Sequence, residues 1–383
     1  MPREPPSAPA PDRPRPPAVV KTVVLATDTP ERFDAAVARA AQLLRQGKLV
    51  ALPTETVYGL AANALDAAAV ARIFKVKGRP PHNPIIVHVA GLEMARRCVT
   101  QWPPAAAKLA KAFWPGPLTL VLPRAGEIPE AVAAGGPTVG IRWPSHPLIE
   151  AVIRACGFPL AAPSANLASK LSATTIGHVR KDFEGKIPLI VDGGQPQVGI
   201  ESSVLDLVSS PPRLLRPGMV HVESLVAVLH QKVLEGPAGA ELGAASTAPR
   251  SPGMLERHYS PNAKLVLLRW HDDAELAARL AEFKIPPAKV HLLVYHSIPT
   301  TLSLARVAVA PDDAQAFARA LYAELHRCDE EGAELIVVEK PPQEPAWRAI
   351  SDRLARAAAG EAPIHLARAQ PADVTAFPGN VAV

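Results

Sequence analysis

The sequence predicts an α/β protein with two folded units, the larger of which is built on a mixed, twisted sheet. Short apolar runs alternate with amphipathic helical stretches from about Val23 to Leu234, and a second pattern of the same kind starts at Leu265. A chain of 383 residues is also longer than one ordinary core requires. Because several runs are short and irregular loops separate them, a mixed sheet is favoured over a regular doubly wound one.

The candidate strands are short apolar runs, and the candidate helices repeat apolar residues on one face. The strands of the larger unit are Leu49–Pro53, Pro84–Ala90, Leu118–Pro123, Thr138–Trp143, Leu160–Ala162, Leu189–Asp192 and Ser203–Leu207. Its helices are Asp34–Gln46, Ala67–Val76, Ala105–Phe113, Pro147–Cys156 and His221–Val233. The smaller unit has strand-like runs LVLLRW, VHLLVYH, RVAVA and ELIVVE, with helices at Asp273–Phe283, Ala314–Cys328 and Ala346–Ala359.

The segments outside these two units are set apart by their composition. Residues 1–20 include MPREPPSAPAPDRPRPP, a Pro-rich tail that we expect to be disordered because it has little apolar surface to bury. Residues 235–263 form a predicted linker, which begins with the Gly- and Ala-rich run EGPAGAELGAASTAPR and continues with SPGMLERHYSP. The predicted units are therefore residues 21–234 and residues 264–383.

Composition narrows the class of protein. No run of about eighteen apolar residues occurs, so we expect no membrane span. Three widely spaced cysteines, Cys98, Cys156 and Cys328, exclude a disulfide scaffold and a CxxC metal site and favour a reducing cytoplasm. The net charge of +5 is compatible with ligands that carry phosphate. There is no P-loop, GxGxxG, HExxH or GxSxG motif, so an ATP site here cannot be a standard P-loop.

Two segments place polar side chains beside predicted strands. In LPTETVYGLAANA, Leu52–Ala64, the hydroxyls and the carboxylate come where a strand ends, which indicates either a ligand site or a turn that satisfies its own backbone. In FKVKGRPPHNPIIVHV, Phe74–Val89, a helix is predicted to end at Gly78, with Lys77 and Arg79 at the corner. Cations there can hold phosphates, or they can simply complement the helix dipole.

Three more segments carry single groups of interest. Arg142 lies in an otherwise apolar strand, where its guanidinium needs either a structural carboxylate or a ligand. In LAAPSANLASKLSATT a short strand delivers Ser164 and Asn166 into a loop, and we expect Ser172 to cap the next helix. The third segment joins VDGGQPQVGIESSVLDL to LLRPG, where Arg216 stands before a Pro-Gly turn.

Taken together and in this order, the motifs PTETVYGL, KGRPxxNPxIVH, PGPxT, APSAN and LLRPG resemble the YrdC family of threonylcarbamoyl-AMP synthases from about Val23 to Val233. The SPGMxxRHYxP segment followed by a second α/β pattern is similar to the long, two-domain form. The resemblance implies a twisted mixed sheet around a concave basic cleft and a smaller, Rossmann-like C-terminal domain without its nucleotide fingerprint.

The resemblance also implies an activity. It is a cytoplasmic nucleotidyltransferase reaction that joins L-threonine, bicarbonate and ATP into L-threonylcarbamoyladenylate and releases pyrophosphate, with Mg2+ bridging the phosphates. The product serves the threonylcarbamoyladenosine modification of tRNA, with hand-over to a tRNA threonylcarbamoyl transferase and weak RNA binding. The alternatives are a double-stranded RNA-binding module without catalysis and a maturation factor that uses carbamoyl phosphate.

Site residues follow from the same resemblance. Lys77 and Arg79 match the family's KxR pair, and we expect them to act on the phosphates in catalysis. The expected L-threonine contacts are Thr56, His88, Arg142, Ala162 through its backbone, and Ser202. The expected ATP contacts are Lys77, Arg79, Asn83, Thr138, Ser164, Asn166, Ser172, Arg216, His258 and Tyr259. The chain departs from the family pattern at Ala168-Ser169, at Ser172-Ala173-Thr174 and at Leu255-Glu256, and the last of these bears on the linker's role.

Overall fold

The computed structural model describes residues 20–236, residue 251 and residues 259–359. The predicted tail, except for Val20, and most of the predicted linker therefore lie outside the described residues, and the domain boundaries stay predictions. Within the described residues, no helix is both long enough and apolar enough to cross a membrane.

The N-terminal unit, residues 20–236, is built on an 11-stranded mixed sheet. Its strands are β1 (Val23–Ala26), β2 (Val50–Leu52), β3 (Gly59–Asn63), β4 (Val87–His88), β5 (Leu118–Pro123), β6 (Thr138–Arg142), β7 (Leu160–Ala161), β8 (Leu189–Asp192), β9 (Ser203–Asp206), β10 (Arg213–Arg216) and β11 (Leu234–Glu235). Their order is β1-β8-β2-β3-β7-β4-β6-β5-β9-β10-β11. Parallel pairs such as β5 with β9 alternate with antiparallel pairs such as β5 with β6, which confirms the predicted mixed sheet.

Helices cover both faces of this sheet. They are α1 (Pro30–Arg45), α2 (Ala67–Lys77), α3 (Leu92–Arg97), α4 (Pro104–Phe113), α5 (Pro147–Cys156), α6 (Ile176–Phe183) and α7 (Val222–Leu229). Successive residues of a strand point to opposite faces. In β2, Val50 and Leu52 accordingly pack with α1 and α5, whereas Ala51 joins the cluster that contains α2, α4, α6 and α7.

The C-terminal unit, residues 259–359, contains a smaller sheet that is entirely parallel. Its strands, β12 (Lys264–Leu268), β13 (Val290–Val294), β14 (Arg306–Val309) and β15 (Leu335–Glu339), lie in the order β12-β15-β13-β14. Its helices are α8 (Asp273–Glu282), α9 (Ala314–Glu330) and α10 (Arg348–Ala358). Helix α8 packs on one face of this sheet, while α9 and α10 pack on the other. This arrangement confirms the predicted small α/β unit.

The two units share one apolar cluster. Val57, Leu171 and Ile200 of the N-terminal unit pack with residues of α9 and α10, including Phe317 and Ile350. Helices α9 and α10 therefore lie between the small sheet and the N-terminal unit. This contact places C-terminal side chains close to the loops that form the site described below.

The structure corrects several predicted elements. Strands β1, β3, β10 and β11 and helices α3 and α6 are additional to those predicted. The predicted helix His221–Val233 is only Val222–Leu229, because His230 takes the left-handed conformation that ends it. Strand β4 is limited to Val87–His88, well inside the predicted Pro84–Ala90. These segments share weak local patterns, being very short, rich in small residues or exposed at a sheet edge.

Candidate functional site

A cavity opens in the N-terminal unit where the loops after several strands meet, and Tyr259 of the C-terminal unit contributes to its wall. Its lining contains every residue predicted to bind threonine, and Arg79, Ser164, Arg216 and Tyr259 from the predicted ATP set. The lining residues are Thr54, Thr56, Val57, Tyr58, Gly59, Arg79, Ile85, Ile86, His88, Arg142, Ala162, Pro163, Ser164, Glu201, Ser202, Arg216 and Tyr259. One concave site therefore combines several cations with small hydroxyl-bearing side chains.

Arg142, at the end of β6, has one protein partner at each nitrogen of its guanidinium. Nη2 lies 2.6 Å from Oε1 of Glu55, Nη1 donates to the Thr56 hydroxyl at 2.9 Å, and Nε donates to the Gly116 carbonyl at 3.3 Å. The Glu55 carboxylate makes no aligned hydrogen bond with any described residue, so its contact with Arg142 is a buried ion pair. Of the two sequence-based alternatives, the structural carboxylate is present, and Arg142 lines the cavity as well.

The Glu55–Arg142 pair depends on a tightly bonded turn. The Thr54 hydroxyl donates to the Val57 carbonyl at 2.6 Å and accepts from the backbone N–H of Thr56 and Val57. The predicted local turn is therefore present in the same segment that supplies cavity residues. Sequence motifs did not identify Glu55 as a site residue because its partner, Arg142, is distant in the chain.

His88, on the two-residue strand β4, is a neutral group in the cavity wall. Burial, and then the nearby charge of Arg142, lower its pKa to about 3. Its Nδ1 atom is buried and has no hydrogen-bond partner among the described residues. A buried polar atom without a partner is costly, so this ring nitrogen is suited to meet a polar group of a ligand.

The cations at the end of α2 turn inward. Gly78 ends the helix with φ +60°, as predicted, and the chain then brings Arg79 into the cavity wall. Arg79 donates from Nε to the Asn83 carbonyl at 3.1 Å and from Nη2 to the Pro84 carbonyl at 2.6 Å. Burial lowers its pKa to about 10. Within the described residues no carboxylate lies within salt-bridge distance of Arg79. The carbonyl groups of Asn83 and Pro84 therefore balance its charge only partly, and this charge lies in the cavity wall.

Lys77 is placed differently from the prediction of a side chain that projects from the corner. It is almost fully buried, and Nζ donates to the carbonyls of Ser164, at 2.6 Å, and Asn166. Burial, and then the charge of Arg79, hold its pKa well below the ordinary value. Lys77 is not part of the cavity lining, and it supports the loop that presents Ser164. Its predicted catalytic role stays a prediction.

The opposite wall is formed by Ser202, Arg216 and Tyr259. Arg216 donates from Nε to the Ser202 carbonyl at 3.0 Å and from Nη2 to the Ser202 hydroxyl at 3.1 Å. That hydroxyl also lies 2.8 Å from the Thr119 hydroxyl. Tyr259, at the predicted linker's end, is buried with φ +60° and forms part of the lining. The predicted His258 lies outside the described residues.

Glu201 is a cavity residue that the sequence-based assignment left out. Its carboxylate accepts from the Ser172 hydroxyl at 2.5 Å, from the Tyr322 hydroxyl at 3.1 Å and from Nε of Arg353 at 2.7 Å. Tyr322 and Arg353 belong to the C-terminal unit. The only sequence signal was a charged residue among small and apolar neighbours, and such a signal does not identify partners more than a hundred residues away.

The other predicted ATP residues that the structure describes are not part of the cavity lining. Ser172 was expected to cap a helix, but α6 begins after Thr175, whose side chain provides the cap, and Ser172 donates to Glu201 instead. Asn166 donates to the carbonyls of Leu167 and Lys170, which shapes its own loop. Asn83 and Thr138 are buried and are not part of the lining. Ligand contacts by these residues stay predictions.

The described residues offer one cluster with the composition of a metal site. His178, His326 and Glu330 have ligand atoms within 4.8 Å of one another, where α6 meets α9. The imidazole rings are stacked with centroids 3.7 Å apart and planes 16° apart. Their lone pairs lie in parallel ring planes and do not converge on one point, so this arrangement does not suit a shared ion.

Family models match both units of the chain. The Sua5/YciO/YrdC model, described as "Telomere recombination", covers residues 42–218, and the model "Threonylcarbamoyl-AMP synthase, C-terminal domain" covers residues 220–359.

Similar proteins extend over most of the chain. A threonylcarbamoyl-AMP synthase of Pyrococcus abyssi is 40% identical over 83% of this chain and 92% of its own length. One of Bacillus subtilis is 40% identical over 87% and 96%. The crystal structure of P. abyssi Sua5 complexed with L-threonine superposes with a TM-score of 0.79 at 37% identity, and it covers 88% of this chain and 98% of that one.

Proposed function

This chain belongs to the Sua5/YciO/YrdC family, and we propose that it synthesises L-threonylcarbamoyladenylate from L-threonine, bicarbonate and ATP, with release of pyrophosphate. One observation about the site carries the proposal. A single cavity contains both a small polar end, formed by Thr56 and His88 beside Arg142, and a cationic end with Arg79 and Arg216. An amino acid and a triphosphate place these two demands on a shared pocket.

The threonine end would recognise both the carboxylate and the side chain. A guanidinium has five N–H donors, and the described contacts of Arg142 engage each of its nitrogens once, so donors remain for a ligand carboxylate. We assign the threonine side chain and amine to Thr56, His88, Ser202 and the Ala162 backbone. That a relative's structure was determined with L-threonine supports this assignment.

The cationic end would hold the nucleotide. We assign the phosphates to Arg79 and Arg216. Ser164 and Tyr259, which also line the cavity, would contact the nucleotide, with Tyr259 lying over it. The predicted contacts of Lys77, Asn83, Thr138, Asn166, Ser172 and His258 belong to the same proposal. The carboxylates nearest the cavity, Glu55 and Glu201, are each paired with an arginine. Mg2+ is therefore expected to arrive with ATP as part of the substrate.

The proposed reaction requires the protein to exclude bulk water and to neutralise negative charge. Threonine's amine and bicarbonate condense to a carbamate with loss of one water molecule. Protons and bulk water destroy the carbamate, and a concave pocket limits access of both. A carbamate oxygen then attacks the α-phosphorus, and pyrophosphate leaves. Arg79 and Arg216 would neutralise the charge that develops on the phosphate oxygens. No protein nucleophile is needed, and this nucleotidyl transfer depends on positioning the two substrates.

The experiment that tests the proposal supplies the substrates singly and together. Purified protein with ATP, labelled bicarbonate and L-threonine should release pyrophosphate and form a labelled adenylate only when all three are present. Pyrophosphate release without threonine would contradict the proposal. We also propose that the product passes in the cytoplasm to a tRNA threonylcarbamoyl transferase, which should accept it directly in a coupled reaction with tRNA.

A further inference from the structure

Arg353, in α10 of the C-terminal unit, is completely buried and directs its guanidinium at the N-terminal unit. Nε donates to the Glu201 carboxylate at 2.7 Å, and Nη2 donates to the Pro217 carbonyl at 3.0 Å. The guanidinium also lies 5.3 Å from the centre of the Tyr259 ring. One side chain therefore contacts three segments of the ATP end of the cavity.

These contacts are made to residues next to Arg216 and next to its hydrogen-bond partner, Ser202. Pro217 directly follows Arg216, and Glu201 directly precedes Ser202, whose carbonyl and hydroxyl accept hydrogen bonds from Arg216. Arg353 thus holds Pro217, the residue after Arg216. It also holds Glu201, the residue before Ser202, which accepts the hydrogen bonds of Arg216. A displacement of Arg353 would loosen both supports of the cation at once.

Charge strengthens the case. Burial alone would raise the pKa of Glu201, but Arg353 and then Arg216 lower it below its ordinary value, so the carboxylate is ionised in the folded protein. Arg353 makes the charge-assisted hydrogen bond with this carboxylate. If Arg353 were removed, Arg216 would be the strongest remaining cation that acts on Glu201. The carboxylate would then compete with the phosphates of a nucleotide for Arg216.

We propose that Arg353 is a positioning residue for the ATP end of the cavity, which neutralises Glu201 and aligns Arg216 for the triphosphate. The inference rests on the proposed function and extends it, since it gives the C-terminal unit a part in nucleotide binding. Arg353 does not line the cavity, so it acts through Glu201 and the Arg216 segment.

The test compares Arg353→Met with Arg356→Met in the full chain. Arg356 lies on the same helix and pairs with Asp352, which also contacts Nη1 of Arg353. Arg356→Met keeps the contacts of Arg353 with Glu201 and Pro217 and serves as the matched control. Calorimetry with a non-hydrolysable ATP analogue and, separately, with L-threonine gives the two affinities. For Arg353→Met we expect the analogue Kd to rise at least tenfold while the threonine Kd changes less than threefold. For Arg356→Met we expect both to stay within twofold.

A second variant separates positioning from simple structural damage. Glu201→Gln combined with Arg353→Met removes the unpaired carboxylate, and it should bind the analogue at least fivefold more tightly than Arg353→Met alone. If Arg353→Met does not fold, the double variant is compared with Glu201→Gln, and weaker analogue binding by the double variant is expected because it alone lacks the contact of Arg353 with the Pro217 carbonyl. An unchanged analogue Kd in Arg353→Met, or equal losses for both ligands, would overturn the proposal.

The readout also separates this inference from the proposed function. Wild-type protein that binds the analogue but forms no adenylate would reject the synthase proposal and leave the comparison of Arg353 variants intact. Wild-type protein that forms the adenylate, together with an Arg353→Met variant of normal analogue affinity, would reject only the positioning role.

Discussion

Arg142 and Glu55 are both almost fully buried, so a change at either residue affects stability as well as binding. Arg142→Ala would leave a buried carboxylate without a partner, which typically costs about 3–5 kcal/mol, and its effect on threonine would be hard to interpret. Arg142→Lys keeps the charge beside Glu55 but loses the forked donors. We expect Arg142→Lys to raise the threonine Kd at least tenfold and to leave the analogue Kd within threefold, measured by calorimetry.

The control for this prediction is Arg154→Lys, at an exposed pair with Glu150, which should leave both affinities unchanged. A thermal unfolding curve for each variant verifies that the compared proteins are folded. Equal weakening of threonine and nucleotide by Arg142→Lys would refute the assignment of Arg142 to the threonine end.

His178 is expected to contribute a measurable part of the stability that the protein loses at low pH. Burial, and then the charges of His326 and Lys181, lower its pKa to about 3. An unfolded histidine takes up a proton below about pH 6.5, so between there and pH 3 the unfolded state binds more protons and stability falls as the pH falls. From pH 7.5 to pH 5.0 we expect His178 to account for about 2 kcal/mol of the lost stability.

The measurement is urea unfolding of wild type and His178→Asn at these two pH values. Asn keeps a polar atom for the Thr174 segment, which contacts Nδ1 of His178, but does not titrate. The loss of stability between the two pH values should be smaller in the variant by roughly the amount given above. An identical loss in both proteins would show that His178 is protonated at its ordinary pH in the folded state.

Sequence patterns predicted those cavity residues that belong to short, contiguous motifs. Thr56, His88, Arg142, Ala162 and Ser202, which the family resemblance implied as threonine contacts, all line the cavity. They could not predict Glu201 as part of the wall, because its carboxylate is held by Arg353 and Tyr322 from the other unit. Side-chain partners across such distances are a property of the folded chain.

The same distinction holds for whole elements. Helix α2 was predicted well because Gly78 provides a left-handed end and prolines follow it. Strand β3, with the sequence GLAAN, was missed because small residues carry no strand signal, and only its pairing with β2 and β7 defines it. Strand β1 was missed because an exposed edge strand has no buried face to produce an alternating pattern.

Gly199, in the loop before β9, lies in close contact with the backbone of helix α9. A Cβ atom there would lie 2.4 Å from Cα of Arg319 and 2.5 Å from the carbonyl oxygen of Ala318, and its φ is +84°. We expect Gly199→Ala to lower the free energy of unfolding by about 2–5 kcal/mol, through left-handed strain and displacement of α9. Chemical denaturation gives this value directly.

Gly157→Ala is the matched control for Gly199→Ala. Gly157 has a similar φ of +77° and no atom within 4 Å of the added Cβ, so it reports the strain alone, about 1–2 kcal/mol. The excess cost at position 199 measures the contact with α9. Equal costs at the two glycines would contradict the close docking of the C-terminal unit.

At the scale of the whole molecule, the shared apolar cluster and the Glu201 network make the C-terminal unit part of the proposed ATP end of the cavity. A chain that ends after Glu235 would lose Tyr259 from the lining and both C-terminal partners of Glu201. It would also expose Val57, Leu171 and Ile200, which pack against α9 and α10 in the full chain. The residues that we assign to threonine binding all lie before position 235 and are kept in the truncated chain.

We therefore expect the truncated chain to lose nucleotide affinity at least tenfold while its threonine affinity falls no more than about threefold. Adding Glu201→Gln to the truncated chain removes the buried carboxylate that has lost its partner, and it should recover part of the stability and part of the nucleotide affinity. Calorimetry with each ligand and a hydrophobic dye for the exposed cluster are the measurements. Full nucleotide affinity in the truncated chain would mean that the N-terminal unit forms the ATP end alone, because neither Tyr259 nor Arg353 would then be required.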